Sequence, residues 1–300
     1  MNPVHQPVLL DEVVAYLVRG PGGRFVDATI DGGGHSAAIL AHSAPDGRVL
    51  GVDRDATLLT GVRERLAACI DAGRLVLVTA SFADLSALVD AQRFGPVDGV
   101  LLDLGLSSYH FDLSGRGFSF ARTEPLDMRF DPADTSLETA ADIIRTRAVD
   151  ELTAIFRDFG EERFAGRIAG RILFERERAP IMTTTQLLDV VTAALPARVR
   201  WRAARSAARI FQALRIAVND ELEAIRRVLP QAVSVLRPGG RLAVIAFHSL
   251  EDRLVKQFFV AERAAGRLDV LTKRPVRPSE REITANSRAA SAKLRVAEKR

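Results

Sequence analysis

The chain has 300 residues, 47% apolar and 27% charged, a composition that fits one large core or two domains and excludes disordered and collagen-like architectures. No apolar run approaches the roughly 18 residues a membrane span needs, and the opening Met-Asn-Pro-Val-His-Gln lacks the layout of a signal peptide, so a cytoplasmic protein is expected. The one cysteine, Cys69, excludes an intrachain disulfide or a zinc site of two or more thiolates and reads as core filler.

The net charge is only +4, but its distribution is uneven. From Arg267 to Arg300 there are ten Lys/Arg against four Asp/Glu, so the basic excess sits in the tail. A second stretch, Arg198 to Arg215, holds six arginines, no acid and the only tryptophan, Trp201. Arginine beside an aromatic suits contact with phosphates and bases, and a solvated basic helix is the plainer alternative.

In chain order, an amphipathic helix carrying Leu9, Leu10, Val13, Val14 and Leu17 is followed by alternating strands and helices. Strands are expected at Arg24 to Ala28, Arg48 to Val52, Leu75 to Thr79, Val97 to Asp103 and Arg241 to Phe247, with helices at His35 to His42 and Ala56 to Ala68. The strands are continuous apolar runs, as in a parallel sheet buried on both faces, so the fold class is α/β, a doubly wound, mostly parallel sheet. A crossover unit needs about 30 residues, yet residues 104–240 separate the fourth strand from the fifth. The excess predicts an inserted helical lobe over 111–205, leaving 1–110 and 206–300 as the core. Within the lobe, Glu161 to Arg178 places Phe164, Ile168 and Ile172 on one helical stripe and Arg163, Arg167 and Arg171 on the next. A helix from Phe211 to Val235 is expected to return to the sheet, and Arg237-Pro238-Gly239-Gly240 reads as a turn before strand five.

The first strand runs into Ile30-Asp31-Gly32-Gly33-Gly34-His35-Ser36, a glycine-rich loop that opens a helix and offers N–H donors to a ligand. The second strand ends at Asp53, where an acid would meet ribose hydroxyls. Gly32-x-Gly34-x-x-Ala37 with Asp53 about 20 residues on also fits a dinucleotide pattern, so NAD and S-adenosylmethionine both remain open. Asp27 and Asp31 favour the second, because they would repel a pyrophosphate and tolerate an ammonium and a sulfonium. Asp103, Ser107 and Ser108 follow the fourth strand, at the sheet edge where such folds bind ligands. An Asp there can equally be a helix cap. His248 lies at the end of the fifth strand. Ser249 to Asp252 reads as a box capping the next helix, so no metal is expected at His248-Ser-Leu-Glu251-Asp252.

These blocks, together with Arg116-Gly-Phe-Ser-Phe120, Pro125-Leu-Asp-Met-Arg129, Gly160-Glu-Glu-Arg163, Phe247-His-Ser-Leu-Glu-Asp-Arg253, Asn286-x-Arg288 and Lys293-Leu-Arg295, resemble the bacterial 16S rRNA cytosine-N4 methyltransferases. The resemblance runs from His5-Gln6-Pro7 to the last strand and implies a class I, Rossmann-like methyltransferase core. It further implies S-adenosylmethionine as methyl donor, no metal, and in-line methylation of the exocyclic N4 amine of cytosine 1402 in the decoding region of 16S rRNA. Gly33, Gly34 and His35 would hold the methionine end of the cofactor and Asp53 the ribose. Phe82 would lie along the adenine, and Asp103 and His110 would complete the pocket. This chain has Asp31 where the family usually has glycine and His110 where it usually has glutamine.

The N4 lone pair is conjugated into the ring, so the enzyme must align N4 with the sulfonium methyl and accept its N–H. Asp103, helped by Ser107 or Ser108, is the candidate acceptor. The target base would be single-stranded or flipped, with His248, Arg163, Arg167, Arg198, Trp201 and Arg288 as candidate rRNA contacts in the small ribosomal subunit. Monomer and homodimer are both open. Two other readings share the core: a nicotinamide-dependent dehydrogenase, which leaves the basic tail unexplained, and a non-catalytic rRNA-binding protein on a Rossmann core.

Overall fold

The computed structural model describes residues 7–300, so His5 and Gln6 lie outside the described residues, as does the side chain of Ser108. The chain forms two compact units, Met1–Ser107 with Leu222–Arg300, and Ser108–Glu221.

The first unit is built on a seven-stranded sheet in the order β3-β2-β1-β4-β5-β7-β6. Its strands are β1 (Arg24–Asp27), β2 (Arg48–Asp53), β3 (Leu75–Thr79), β4 (Val97–Asp103), β5 (Leu236–Ala246), β6 (Leu268–Val270) and β7 (Lys293–Lys299). The first five are parallel, while β7 runs antiparallel to both β5 and β6. Strand order reverses between β1 and β4, so the crevice of a doubly wound sheet falls at the ends marked by Asp27 and Asp103. Phe25, Val49, Leu101, Ile245, Leu294 and Val296 of the sheet share one buried cluster with Val13 and Leu17 of the helix Leu10–Leu17 and Ile39 and Leu40 of the helix Gly34–His42. Cys69 is half-buried and packs against the same cluster.

The tail, read from the sequence only for its charge, contains β6 and β7, the latter paired along six positions of β5. Two expectations are corrected. The stretch Phe211 to Val235 is two helices, Ala203–Asn219 and Glu221–Val235, broken where Asp220 takes φ 50°. Residues 237–240 do not precede β5: Val97 pairs with Leu236 and Gly99 with Arg241, so the extra residues bulge out within the strand.

The second unit is helical. Its longer helices are Val149–Asp158, Ala165–Arg176, Thr184–Ala194 and Ala203–Asn219, with Leu152, Phe156, Ile168, Ile172, Leu187, Val191, Ile210 and Leu214 buried. Thr183 caps the helix Thr184–Ala194 in a reciprocal box with Gln186, and Thr139 does the same with Asp142 for Ala140–Thr146. The block Pro125-Leu-Asp-Met-Arg129 is a tight loop in which buried Met128 sits at φ 62°. Asn219 holds it, donating to the Met128 carbonyl at 2.8 Å and accepting from the Phe130 amide at 2.8 Å. Asp127 grips Arg129 through Nε and Nη2, both at 2.8 Å. Burial opposes ionisation of Asp127, but the Arg129 hydrogen bonds outweigh it and hold the carboxyl below its usual range.

Candidate active site

The carboxyl ends of β1, β2 and β4 bring four acids onto one edge of the first unit. The loop after β1 turns at Asp31, whose φ of 45° is the left-handed conformation that glycine adopts most cheaply. The Asp31 amide donates to Asp53 Oδ2 at 3.0 Å, which holds the turn in that conformation. Gly33 follows at φ 74°, and the helix Gly34–His42 begins. A Cβ on Gly34 would lie 2.9 Å from Pro7 Cγ, so packing alone already demands glycine there.

Asp53, half-buried, spends both carboxylate oxygens on backbone amides. Its Oδ1 accepts the Asp55 amide at 2.9 Å, and Asp55 in turn caps the helix Ala56–Arg65 by accepting from the Thr57 amide at 2.9 Å. Beside it, at the end of β3, Phe82 opens a short 3-10 turn with the Arg54 guanidinium 5.9 Å from its ring centroid.

Asp27 is buried, and its Oδ2 accepts from Ser36 Oγ at 2.7 Å. Desolvation, only partly opposed by that hydrogen bond, pushes its pKa up to about 6. Asp103 accompanies it: its amide donates to Thr29 Oγ1 at 2.6 Å, and its carboxyl is pushed well above the ordinary range by burial and then by the charges of Asp31, Asp27 and Glu251. Asp27 Oδ1 and Asp103 Oδ1 are both buried without a hydrogen-bond partner among the described residues. Clustered buried carboxyls with unmet acceptors fit a cationic ligand and disfavour a pyrophosphate.

His35 is also buried, and its imidazole turns inward, with Nε2 3.0 Å from the Val8 carbonyl and Nδ1 3.5 Å from Asp103 Oδ2. Its ring therefore orients Asp103, and what His35 can offer a ligand in the loop is its backbone. Ser107, two residues after Gly105 (φ 110°), is buried.

His248 is the N-cap of the helix Ser249–Ala264, accepting from the Glu251 amide at 3.4 Å while Glu251 Oε2 accepts from the Phe247 and His248 amides at 2.8 and 3.2 Å. The box expected at Ser249 to Asp252 thus begins one residue earlier. Its Nε2 lies 3.1 Å from Glu251 Oε1, so the ring is engaged within the cap. Asp252 instead receives Arg295 Nε at 2.6 Å, joining two motif blocks far apart in sequence. Arg288 is exposed on the 3-10 turn Ser287–Ser291.

His110 belongs to the second unit, where it is buried among Phe118, Phe130 and Tyr109 at ring-centroid distances of 5.3, 5.5 and 5.8 Å. In that unit the arginines divide. Arg167 donates to the Ala194 carbonyl at 2.8 Å, Arg171 pairs with Glu175, and Arg215 forms a two-point pair with Glu221 at 2.7 and 2.9 Å. Arg163 is exposed and lies 5.8 Å from the Phe164 ring centroid. Arg198, Arg200, Arg202 and Arg205 are exposed beside Trp201, which is 75% accessible and carries Arg202 at 4.4 Å from its ring centroid. Sequence reasoning gave no role to Thr29, Ser36 or Arg54 and missed the orienting role of His35; Ser36 stands in the glycine-rich loop itself.

A doubly wound sheet with a reversed last strand, bearing a glycine loop and an acid at the next strand end, defines a class I, Rossmann-like methyltransferase core. The chain belongs to the MraW methylase family, whose model matches residues 2–300. It is 51% identical to "Ribosomal RNA small subunit methyltransferase H" of Thermomicrobium roseum, over 100% of this chain and 94% of the relative. A protein of the same name from Synechococcus sp. (strain JA-3-3Ab) is 52% identical over 98% of this chain and 94% of the relative. Among solved structures, an rRNA methylase from Streptococcus thermophilus overlaps 97% of this chain and 93% of its own at 12% identity and a TM-score of 0.42.

Proposed function

We propose that this protein transfers the methyl group of S-adenosylmethionine to the exocyclic N4 amine of a cytidine in the decoding region of the small-subunit rRNA. The observation that carries the cofactor is the cluster of acids Asp27, Asp31 and Asp103, in which Asp27 and Asp103 each bury an oxygen without a hydrogen-bond partner among the described residues. The family and the relatives' printed names support the rRNA substrate.

The amides of the Gly33-Gly34-His35 turn and the acid cluster would hold the methionine end, Asp53 the ribose and Phe82 the adenine face, with His110 as a further contact. The cofactor supplies an electrophilic methyl on a sulfonium. Asp103, held by His35, accepts the N4 hydrogen bond so that the amine lone pair turns toward carbon, and Ser107 steadies the amine. Arg163, Arg198, Trp201, Arg288 and His248 are proposed rRNA contacts; Arg167 is a weaker one, since its Nε is already taken by Ala194. Residues 108–221 would be the recognition lobe. The reaction as proposed calls for no metal, and it places the protein in the cytoplasm with the ribosomal subunits.

Equilibrium binding of S-adenosylmethionine and of NAD to the full chain tests the cofactor. Saturable binding of the first and none of the second is expected. Binding of NAD alone would return the dehydrogenase reading, and binding of rRNA with neither cofactor would indicate a non-catalytic protein.

A further inference from the structure

The helix Ser249–Ala264 carries a face that the methyl-transfer site does not use. Lys256, Phe259, Val260 and Arg263 recur at the i, i+3, i+4, i+7 spacing that marks one helical stripe. Phe259 turns into the core, while Val260 stays 59% exposed. With Lys273 and Arg295 they line a pocket of about 380 Å³, within the size range of small-ligand sites. Arg295 is committed to Asp252, and Asp269, which feels the charge of Arg263, is hydrogen-bonded by Arg300. Lys256, Arg263 and Lys273 are exposed and make no ion pair among the described residues. A large exposed aliphatic residue ringed by three uncommitted cations matches one phosphate-bearing nucleoside, its anion on the rim and its base or ribose on Val260.

We propose that this pocket docks a nucleotide of the single-stranded RNA flanking the target base. The assignment of that strand to rRNA rests on the function proposed above. Val260 lies eleven residue steps along the helix from Ser249, beside the strand end that bears His248, roughly 16 Å at helical rise. The pocket thus anchors the strand a few nucleotides from the reacting base and holds the substrate by a contact remote from the chemistry.

The test is binding of a short fluorescein-labelled oligouridylate to the full chain across a salt series, with the triple variant Lys256→Gln/Arg263→Gln/Lys273→Gln and separately Val260→Ser. Loss of the three cations around the docked phosphate should weaken binding about tenfold or more and flatten the log–log salt slope by about 0.7. Val260→Ser should weaken binding with the slope kept, and S-adenosylmethionine affinity should not change in either variant. Wild-type affinity and slope in the triple variant would overturn the proposal. So would UMP displacing the probe as well as unlabelled oligouridylate does, since the pocket would then serve free nucleotides. A wild-type protein that binds the probe through this pocket yet methylates no small subunit would sink the methyl-transfer reading and leave the pocket standing.

Discussion

His35 Nδ1 lies 3.5 Å from Asp103 Oδ2 while its Nε2 lies 3.0 Å from the Val8 carbonyl oxygen. A carbonyl only accepts, so Nε2 carries the hydrogen and Nδ1 of a neutral ring accepts. Burial and the charges of Asp31, Asp27 and Glu251 push the Asp103 carboxyl well above its ordinary range, which favours its protonated form beside that acceptor. The imidazole thereby orients Asp103, the proposed acceptor of the N4 hydrogen bond.

His35→Ala should therefore lower kcat on the order of 10–100-fold with a smaller change in KM, and should move the acidic limb of the pH–rate profile. A KM effect alone, with an unmoved profile, would show that His35 serves only the cofactor loop.

Asp103→Ala removes the acceptor oxygens, and Ser107→Ala removes the neighbouring hydroxyl. Turnover should fall at least about 100-fold in the first and more modestly in the second, with S-adenosylmethionine affinity in Ser107→Ala unchanged. Full turnover in both variants would rule out Asp103 as acceptor.

Asp27 links pH to both affinity and stability. Its folded pKa of about 6 lies above the ordinary 3.8, so the folded state holds its proton more tightly than the unfolded chain does. The resulting stabilisation is complete below 3.8 and is lost as pH rises through about 6. Above that the ionised, buried carboxylate attracts the cationic cofactor. Affinity for S-adenosylmethionine should thus rise with pH across about 6, and Asp27→Asn should flatten that rise while stabilising the apo chain by about 1–3 kcal/mol at pH 8. Calorimetric titration and thermal melts at both ends of the range check it; unchanged pH dependence in the variant would contradict the assignment.

The arginine run divides into two mechanisms. Replacing Arg198, Arg200, Arg202 and Arg205 by glutamine should cut rRNA affinity and flatten its salt slope with little change in melting temperature. Arg215→Gln strands the buried Glu221 carboxylate and should destabilise the fold by about 3–5 kcal/mol without altering the slope of what remains folded. Equal effects on the salt slope from both sets would contradict the division.

The central parallel strands were legible as short apolar runs buried on both faces, as at Val49-Leu50 and Val100-Leu101-Leu102, while edge strand β3 is apolar but only half-buried. Strand β7 was hidden by its charges. Leu294 and Val296 alternate with Lys293 and Arg295 as a strand should, but Arg295 spends its charge on Asp252, a pairing that a tally of basic residues does not reveal. Asp220 broke a helix that periodicity joined, because a lone residue at φ 50° leaves no mark in the apolar pattern. The cap at His248 was placed one residue late because histidine is not among the usual capping residues. At the site, Asp27, Asp53 and Asp103 stood out as acids at strand ends, whereas the inward turn of His35 depends on Val8, on a different element.

The most direct test of the account is incubation of the protein with methyl-labelled S-adenosylmethionine and unmodified small ribosomal subunits, followed by digestion of the rRNA and identification of the labelled nucleoside. The account predicts label in N4-methylcytidine. Label in any other nucleoside, or none from a protein that binds the cofactor, would contradict it.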